Sequence, residues 1–213
     1  MRGTSYFNGV GSRKTEVRIC HYSITPTLQL TNQPINQLTN HPMALIKSVR
    51  GFTPVFGKNC YLADNATVIG EVSMGDDCSV WFNAVIRGDV HYIRIGNTVN
   101  IQDGAIIHCT YQKAPVNIGN NVSIAHKAII HGCTIQHNVL IGMSAIIMDN
   151  AVIESSSVIA AGAVVLENTI VKSGSVYAGV PAKKVKDIDA NLLEGQVMRI
   201  ARSYVGYADW YRG

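Results

Sequence analysis

The sequence predicts an all-β fold, a left-handed parallel β-helix of hexapeptide repeats followed by a C-terminal α-helix. Two observations carry this. Aliphatic or Met side chains recur every six residues at Leu62, Val68, Met74, Val80 and Ile86, then at Ile95, Ile101 and Ile107, at Ile118 and Ile124, and on through Ile135, Ile141, Ile147, Ile153, Ile159 and Val165. Small or β-branched residues stand two positions ahead of many of these, as Ala66, Val72, Cys78, Ala84, Val122, Ala145, Ala151 and Ala163. A period of six matches neither the 3.6 of an α-helix nor simple alternation. It suits a coil of three short flat strands, about eighteen residues long, in which every sixth side chain points at the axis and a small residue fits each corner. Coils stacked about 4.8 Å apart satisfy one another's backbone groups.

The elements follow in chain order. Residues 1–42 have no strand or helix period, and their Gln, Asn, Thr and Pro near-repeat from Leu28 to Pro42 reads as a disordered extension. Gly9 to Ile24 is interrupted by Arg13, Lys14, Glu16, Arg18 and His21, so it lacks the apolar core of a secretory signal. Met43-Ala-Leu-Ile-Lys47 reads as an ordinary protein start, with 1–42 an upstream translation artefact or a dispensable tail. The β-helix domain is assigned to 43–186, with its repeats from Leu62 to Ala182. The 110–117 segment breaks the count and is read as a loop at one corner. Ala178-Gly-Val-Pro-Ala-Lys183 ends the repeats in a turn. Asp187 or Asp189 then caps a helix in 187–213, whose Leu193, Val197, Ile200, Ala201, Tyr204 and Ala208 form one apolar face.

Composition excludes several functions. Most of the formal charge of +4 belongs to the N-terminal extension, where Arg2, Arg13, Lys14 and Arg18 outweigh Glu16, so the folded part is nearly neutral and carries no nucleic-acid footprint. No run of apolar residues is long enough for a membrane helix. Five cysteines without a Cys-x-x-Cys spacing indicate neither a disulfide framework nor a cysteine zinc site, and suggest a reducing cytoplasm. Flat apolar faces on a prism give a reason to associate, and closed threefold packing is a natural solution.

His108, His126 and His131 fall inside the repeats. His126 follows His108 by one nominal coil, and His131 follows one face later less one residue, where the aliphatic register also slips, so the side chains are expected near one edge on neighbouring coils. Three neutral imidazoles leave a fourth position on a divalent ion for water, which suits lowering the pKa of that water. His91 and His137 read as surface or turn residues. Arg87 and Asp89, flanking Gly88, must be paired in such a prism, as a structural salt bridge within or between subunits. Gln102, one repeat before His108, is expected to stack beneath it.

Arg87-Gly-Asp89, Asn100-Ile-Gln102-Asp103, His108, the Ala125-His126 to His131-Gly-Cys133 segment and Gly179-Val-Pro-Ala182 together resemble the γ-class carbonic anhydrase family of hexapeptide-repeat proteins, over roughly 43–213. The resemblance implies a homotrimer with metal at subunit interfaces, His108 and His131 coming from one chain and His126 from its neighbour. It implies reversible hydration of CO2 to bicarbonate by metal-bound hydroxide, with Zn2+, or Fe2+ or Co2+, as the ion. Gln102 then orients hydroxide or CO2, Arg87 and Asp89 support the site, and Tyr204 reaches it from the terminal helix. Where the family's active members have proton-shuttling glutamates, this chain has Val90 and a short loop around Tyr111, which implies slow turnover. Two other functions fit the same fold: an acyl-CoA acyltransferase or thioesterase with one histidine as free base, and a non-catalytic metal-binding trimer.

Overall fold

The computed structural model describes residues 43–212; the 1–42 extension, with Cys20, His21 and His41, lies outside them. The described chain winds as a left-handed parallel β-helix of about seven coils with a helix at its C-terminal end. One face stacks Ile106–His108, Ile129–His131, Ile146–Ile147 and Val164–Val165. A second stacks Val116–Ile118, Thr134–Ile135, Val152–Ile153 and Ile170–Val171. Thr67–Met74 and Val85–Ile95 run unbroken around the corner between these two faces. The third face stacks Tyr61–Leu62, Ser79–Val80, Asn100–Ile101, Ser123–Ile124, Leu140–Ile141, Val158–Ile159 and Ser175–Ala178.

The predicted aliphatic columns are the core. Val68, Ile86, Ile107, Ile130, Ile147 and Val165 lie in register down the first face, all of them buried. Ile130 fills the place that the sequence count passed over between Ile124 and Ile135. The short step is therefore at the following corner, His131-Gly132-Cys133. Coil length varies, and all the variation sits in corners. Ile159 follows its column mate Ile141 by the nominal coil, whereas the steps from Val80 to Ile101 and from Ile101 to Ile124 are longer and that from Ile124 to Ile141 is shorter. The longest of these coils contains the loop, which is tighter than expected: Thr110 and Ala114 close it as a bridge, and Val116 and Asn117 already belong to a strand.

Corners turn on a residue in the left-handed region just before the small inward one, as Asn83 before Ala84, Asn121 before Val122 and Asn150 before Ala151. Asn tolerates this conformation because its short amide bonds locally. Along one edge the corners are also laced together. Asp76 Oδ1 accepts the Lys58 N–H at 2.7 Å, Asn97 Oδ1 the Asp76 N–H at 2.9 Å, Asn120 Oδ1 the Asn97 N–H at 2.9 Å, and His137 Nδ1 the Asn120 N–H at 3.0 Å. Each accepting side chain lies across the glycine of the coil before it, at Gly57, Gly75, Gly96 and Gly119, where a Cβ has no room.

After the repeats the chain does more than turn. Lys183–Asp187 pairs antiparallel with Ser175–Ala178 before the helix starts. Asp189 is the N-cap and accepts the Leu192 N–H at 2.7 Å. Helical residues Ala190–Leu192, a wider π-helical stretch Leu193–Met198 and Arg199–Asp209 follow. Val197 packs on Val158 and Val176, so this helix covers the third face. The outward column of the second face begins polar, with Arg94, Asn117 and Thr134, and ends in Val152 and the exposed Ile170. The first face presents an uncovered aliphatic column, Val85, Ile106, Ile129, Ile146 and Val164.

Gly96→Ala places a methyl group against Asn120 Oδ1 and 2.8 Å from the Gly119 backbone. Overpacking of this kind costs about 1–3 kcal/mol. The expected result is a lower midpoint in denaturant unfolding with an unchanged slope; a midpoint equal to wild type contradicts the lacing described here.

Candidate metal centre

Strands of the first face carry His108 and His131 to the same corner. They are in register on adjacent coils, and His108 Nδ1 lies 3.2 Å from His131 Nε2. The outer nitrogens each meet a carboxylate: His108 Nε2 is 3.3 Å from Asp89 Oδ1, and His131 Nδ1 is 2.5 Å from Asp149 Oδ1. Arg87 Nη1 donates to Asp89 Oδ2 at 2.7 Å, so this ion pair closes within one chain. Thr110 Oγ1 donates to Asp149 Oδ2. The result is an unbroken polar line, Arg87, Asp89, His108, His131, Asp149 and Thr110. The 88–92 bulge of the long strand presents Asp89 to it, and the tight loop presents Thr110.

The protonation of this line follows from its ends. Burial pushes the Asp89 carboxyl up, but the hydrogen bond and charge of Arg87, with the His108 contact, outweigh it and hold the group below the usual carboxylate range. Burial likewise opposes ionisation of Asp149 and is outweighed by the hydrogen bonds from Thr110 and His131. Ionised carboxylates only accept, so the protons belong on His108 Nε2 and His131 Nδ1. That leaves two imidazole lone pairs facing each other at 3.2 Å. Such a pair calls for a cation between them, a proton or a metal ion. Burial first, then the charge of Arg87, lowers the His108 pKa and so disfavours the proton. Two nitrogens bound tetrahedrally at about 2.0–2.1 Å stand about 3.3 Å apart, so the donor pair fits a zinc-sized ion.

His126 is elsewhere. It lies in the corner before Ile129–His131, at the opposite end of that strand, and at about 3.3 Å per residue the two corners are on the order of 15 Å apart. The stacking mate of His108 is His131, not His126, because the loop lengthens this coil beyond the nominal count. Among the described residues, no three His, Cys, Asp or Glu side chains of a single chain gather around one point. The expectation that all three histidines emerge at one edge of the same chain is therefore corrected.

Gln102 goes with His126. Six residues along a β-helix lead to the next face rather than the next coil, so Gln102 does not lie under His108. Its neighbour one coil on is the Ala125 position. It is buried, its Nε2 donating to Asn100 Oδ1 at 2.9 Å, and Asn100 Nδ2 donates to Ser123 Oγ at 2.8 Å. Gln102, His126 and Tyr204 line one cavity of about 370 Å³ with Leu140, Met143 and Ile200. His126 Nδ1 is 2.9 Å from Asp103 Oδ2. Tyr204 packs edge-on against Trp81, ring centroids 5.2 Å apart. Burial, then the Asp103 charge, pushes its phenol up to about 12. The chain thus gathers the candidate residues into two clusters at two corners, with the aliphatic column of the first face between them.

Sequence reading missed Asp149, Thr110 and the role of Asp103. Asp149 was within reach of the repeat, since it follows His131 by one full nominal coil. Thr110 was hidden by the loop.

No protein-family model matches the chain. It is 38% identical over 168 residues to the carbonic anhydrase of Geobacillus kaustophilus, an alignment that spans 79% of this chain and 91% of that protein. The chain belongs to the γ-class carbonic anhydrase-like family of hexapeptide-repeat proteins. Within the family it is 35% identical over 187 residues to gamma carbonic anhydrase 1, mitochondrial, of Arabidopsis thaliana, covering 85% of this chain and 66% of that one. Among solved structures, a hexapeptide transferase family protein from Anaplasma phagocytophilum matches with a TM-score of 0.75 and 35% identity, over 78% of this chain and 98% of that one.

Burial is expected to keep the Tyr204 phenol protonated up to about pH 12. In a tyrosinate absorbance titration of the native protein, Tyr204→Phe should remove a component rising near pH 12 and leave the earlier part unchanged. Loss of an early component instead contradicts the burial of this phenol.

Proposed function

We propose that this protein is a metal-dependent γ-type carbonic anhydrase that interconverts CO2 and bicarbonate as a homotrimer. Its centres form where the His108–His131 corner of one subunit meets the His126 corner of the next. The observation that carries the reading is the pair of facing imidazole lone pairs, each ring fixed from behind by a carboxylate. The rest supports it. His126, Gln102 and Tyr204 make a second half-site that one chain keeps away from the first. The uncovered column of Val85, Ile106, Ile129, Ile146 and Val164 between the corners supplies apolar surface for a subunit contact.

His108 and His131 would hold the ion with the neighbour's His126. A bound Zn2+, or Fe2+ or Co2+ in the same imidazole set, acts as a Lewis acid that activates water towards CO2 at neutral pH. The protein residues do the remaining work. Asp89, anchored by Arg87, keeps a proton on His108 Nε2 and turns its other nitrogen inward; Asp149, anchored by Thr110, does the same for His131. The Gln102 amide, fixed by Asn100, offers a polar group to orient the small substrate. Tyr204 keeps its proton and so presents a hydroxyl donor, while Leu140, Met143 and Ile200 give CO2 an apolar approach. With Val90 and the Thr110–Ala114 loop supplying no carboxylate, proton export falls to buffer in the solvent, and turnover is slow.

Acyl transfer is the competing reading, on the name of the Anaplasma relative. It calls for a histidine free to act as base; His108 and His131 do not offer one, because their inner nitrogens face each other at 3.2 Å, and His126, held at Nδ1 by Asp103, is the one such histidine in the cavity with Gln102 and Tyr204.

Anaerobically purified wild type is expected to hold about one ion per chain, by metal analysis, and to hydrate CO2 at a rate that rises with buffer concentration. His126→Ala and His131→Ala should each lose both properties. Refolding the two variants together should restore metal and activity, because every mixed trimer contains an intact interface. Metal without hydration leaves a non-catalytic trimer; no metal in wild type moves acyl transfer ahead; no recovery on mixing rejects the shared centre. Asp149→Ala should weaken zinc binding about 10–100-fold in competition with a chromophoric chelator. An unchanged affinity removes the carboxylate from its positioning role.

A further inference from the structure

Cys60 and Cys78 occupy the same corner position on adjacent coils. The residues that follow them, Tyr61 and Ser79, are register partners, and the Tyr61 N–H donates to the Cys78 carbonyl at 2.9 Å. The coil spacing of about 4.8 Å lies inside the Cα separation of about 4.4–6.8 Å that a disulfide spans. Their thiols donate to successive carbonyls along the same edge, Cys60 Sγ to Gly75 at 3.2 Å and Cys78 Sγ to Gly96 at 3.1 Å. Cys60 is partly open to solvent while Cys78 is 1% exposed, which gives an accessible thiol and a second one behind it. Cys109 and Cys133, the other described cysteines, are both buried in the core.

The surroundings of Cys60 matter as much. Its predecessor Asn59 accepts a hydrogen bond through its carbonyl from Arg212 Nη2 at 2.6 Å, and its successor Tyr61 packs on Tyr211 with centroids 5.7 Å apart. Tyr61 also packs on Trp81, the ring that supports Tyr204. Cys60 therefore lies between two residues that seat Tyr211 and Arg212, just past the end of the C-terminal helix.

We propose that Cys60 and Cys78 form a reversible disulfide in exchange with low-molecular-weight disulfides, and that this bond stiffens the seat of the C-terminal helix. The Cys60 thiolate attacks one sulfur of the small disulfide, forming a mixed disulfide and expelling the first thiolate. Cys78 then gives up its proton to solvent and its sulfur attacks the Cys60 sulfur, expelling the second. The two cysteines lose two protons and two electrons, and the small disulfide is reduced to two thiols. The neighbouring Cys78 thiol is the first cause that brings the Cys60 thiol down to about 7, against the effect of burial, so its nucleophilic form is well populated at neutral pH. Cys78 is held above the usual thiol range first by the neighbouring Cys60 thiol and then by burial; capping Cys60 in the mixed disulfide removes the first of these and leaves the second. The inference is independent of the metal centre.

The test uses the full chain equilibrated against mixtures of oxidised and reduced glutathione, quenched by alkylation in denaturant and mapped by peptide mass. The expected product is a cross-linked peptide joining Cys60 to Cys78, formed progressively with rising oxidised fraction and reversed by dithiothreitol. Cys78→Val should instead trap glutathione on Cys60. That variant keeps the fold, because Val99, Val122 and Val139 continue the same inward column. A stable glutathione adduct on wild-type Cys60, or both thiols still alkylated at the most oxidising ratio, overturns the disulfide. Amide exchange in residues 204–212 should slow on oxidation of wild type and stay constant in Cys78→Val; unchanged exchange in the oxidised wild type overturns the link to the helix.

Discussion

Everything in this molecule depends on one constraint: parallel strands stacked in register, so that each side chain has the equivalent residue of the next coil about 4.8 Å away. The core satisfies it with aliphatic columns in which Ile repeatedly lies on Ile. Corners absorb every irregularity, because a residue added within a flat strand would turn the next inward side chain outward. The bulge at 88–92, the loop at 110–114 and the short corner at Gly132 are all corner events. Each brings a member of the polar line with it: Asp89 from the bulge, Thr110 from the loop, His131 beside the short corner.

The same stacking creates the electrostatic problem at the site. Placing His131 over His108 forces two imidazoles together, and the carboxylates behind them decide which nitrogen of each faces inward. A positioned anion at each end and a buried middle that resists protonation are what the proposed metal reading rests on. Charged and polar groups are held there on the edge of a prism whose core is mostly aliphatic, with Ser157 and Ser175 among its buried exceptions.

The sequence made the architecture legible because a period of six leaves few physical alternatives, and the columns from Leu62 to Val165 are the ones found. What it obscured was the count between columns. Ile130 was passed over because the short corner came after it. His126 was paired with His108 because the nominal coil joins them, whereas the loop stretches the actual coil on to His131. Gln102 was placed by counting six as a vertical step when it is a step around the prism. The histidines themselves stood out as imidazoles inside repeats. The carboxylate at Asp149 needed only the addition of one coil to His131, whereas Asp103 and Thr110 depend on corner geometry that spacing does not encode. The antiparallel strand Lys183–Asp187 was hidden because its lysines and single Val carry no repeat.

That last strand has a consequence for how the molecule ends. A parallel β-helix has no internal reason to stop: its final coil exposes a row of unpaired amides and carbonyls onto which another chain's first coil could add, and then another. By reversing direction on Ser175–Ala178, Lys183–Asp187 offers newcomers a strand of the wrong polarity, studded with Lys183, Lys184 and Lys186. Like charges on two such ends repel. The strand thus acts as a terminator of polymerisation, keeping a fold built on fibre-like stacking in discrete particles.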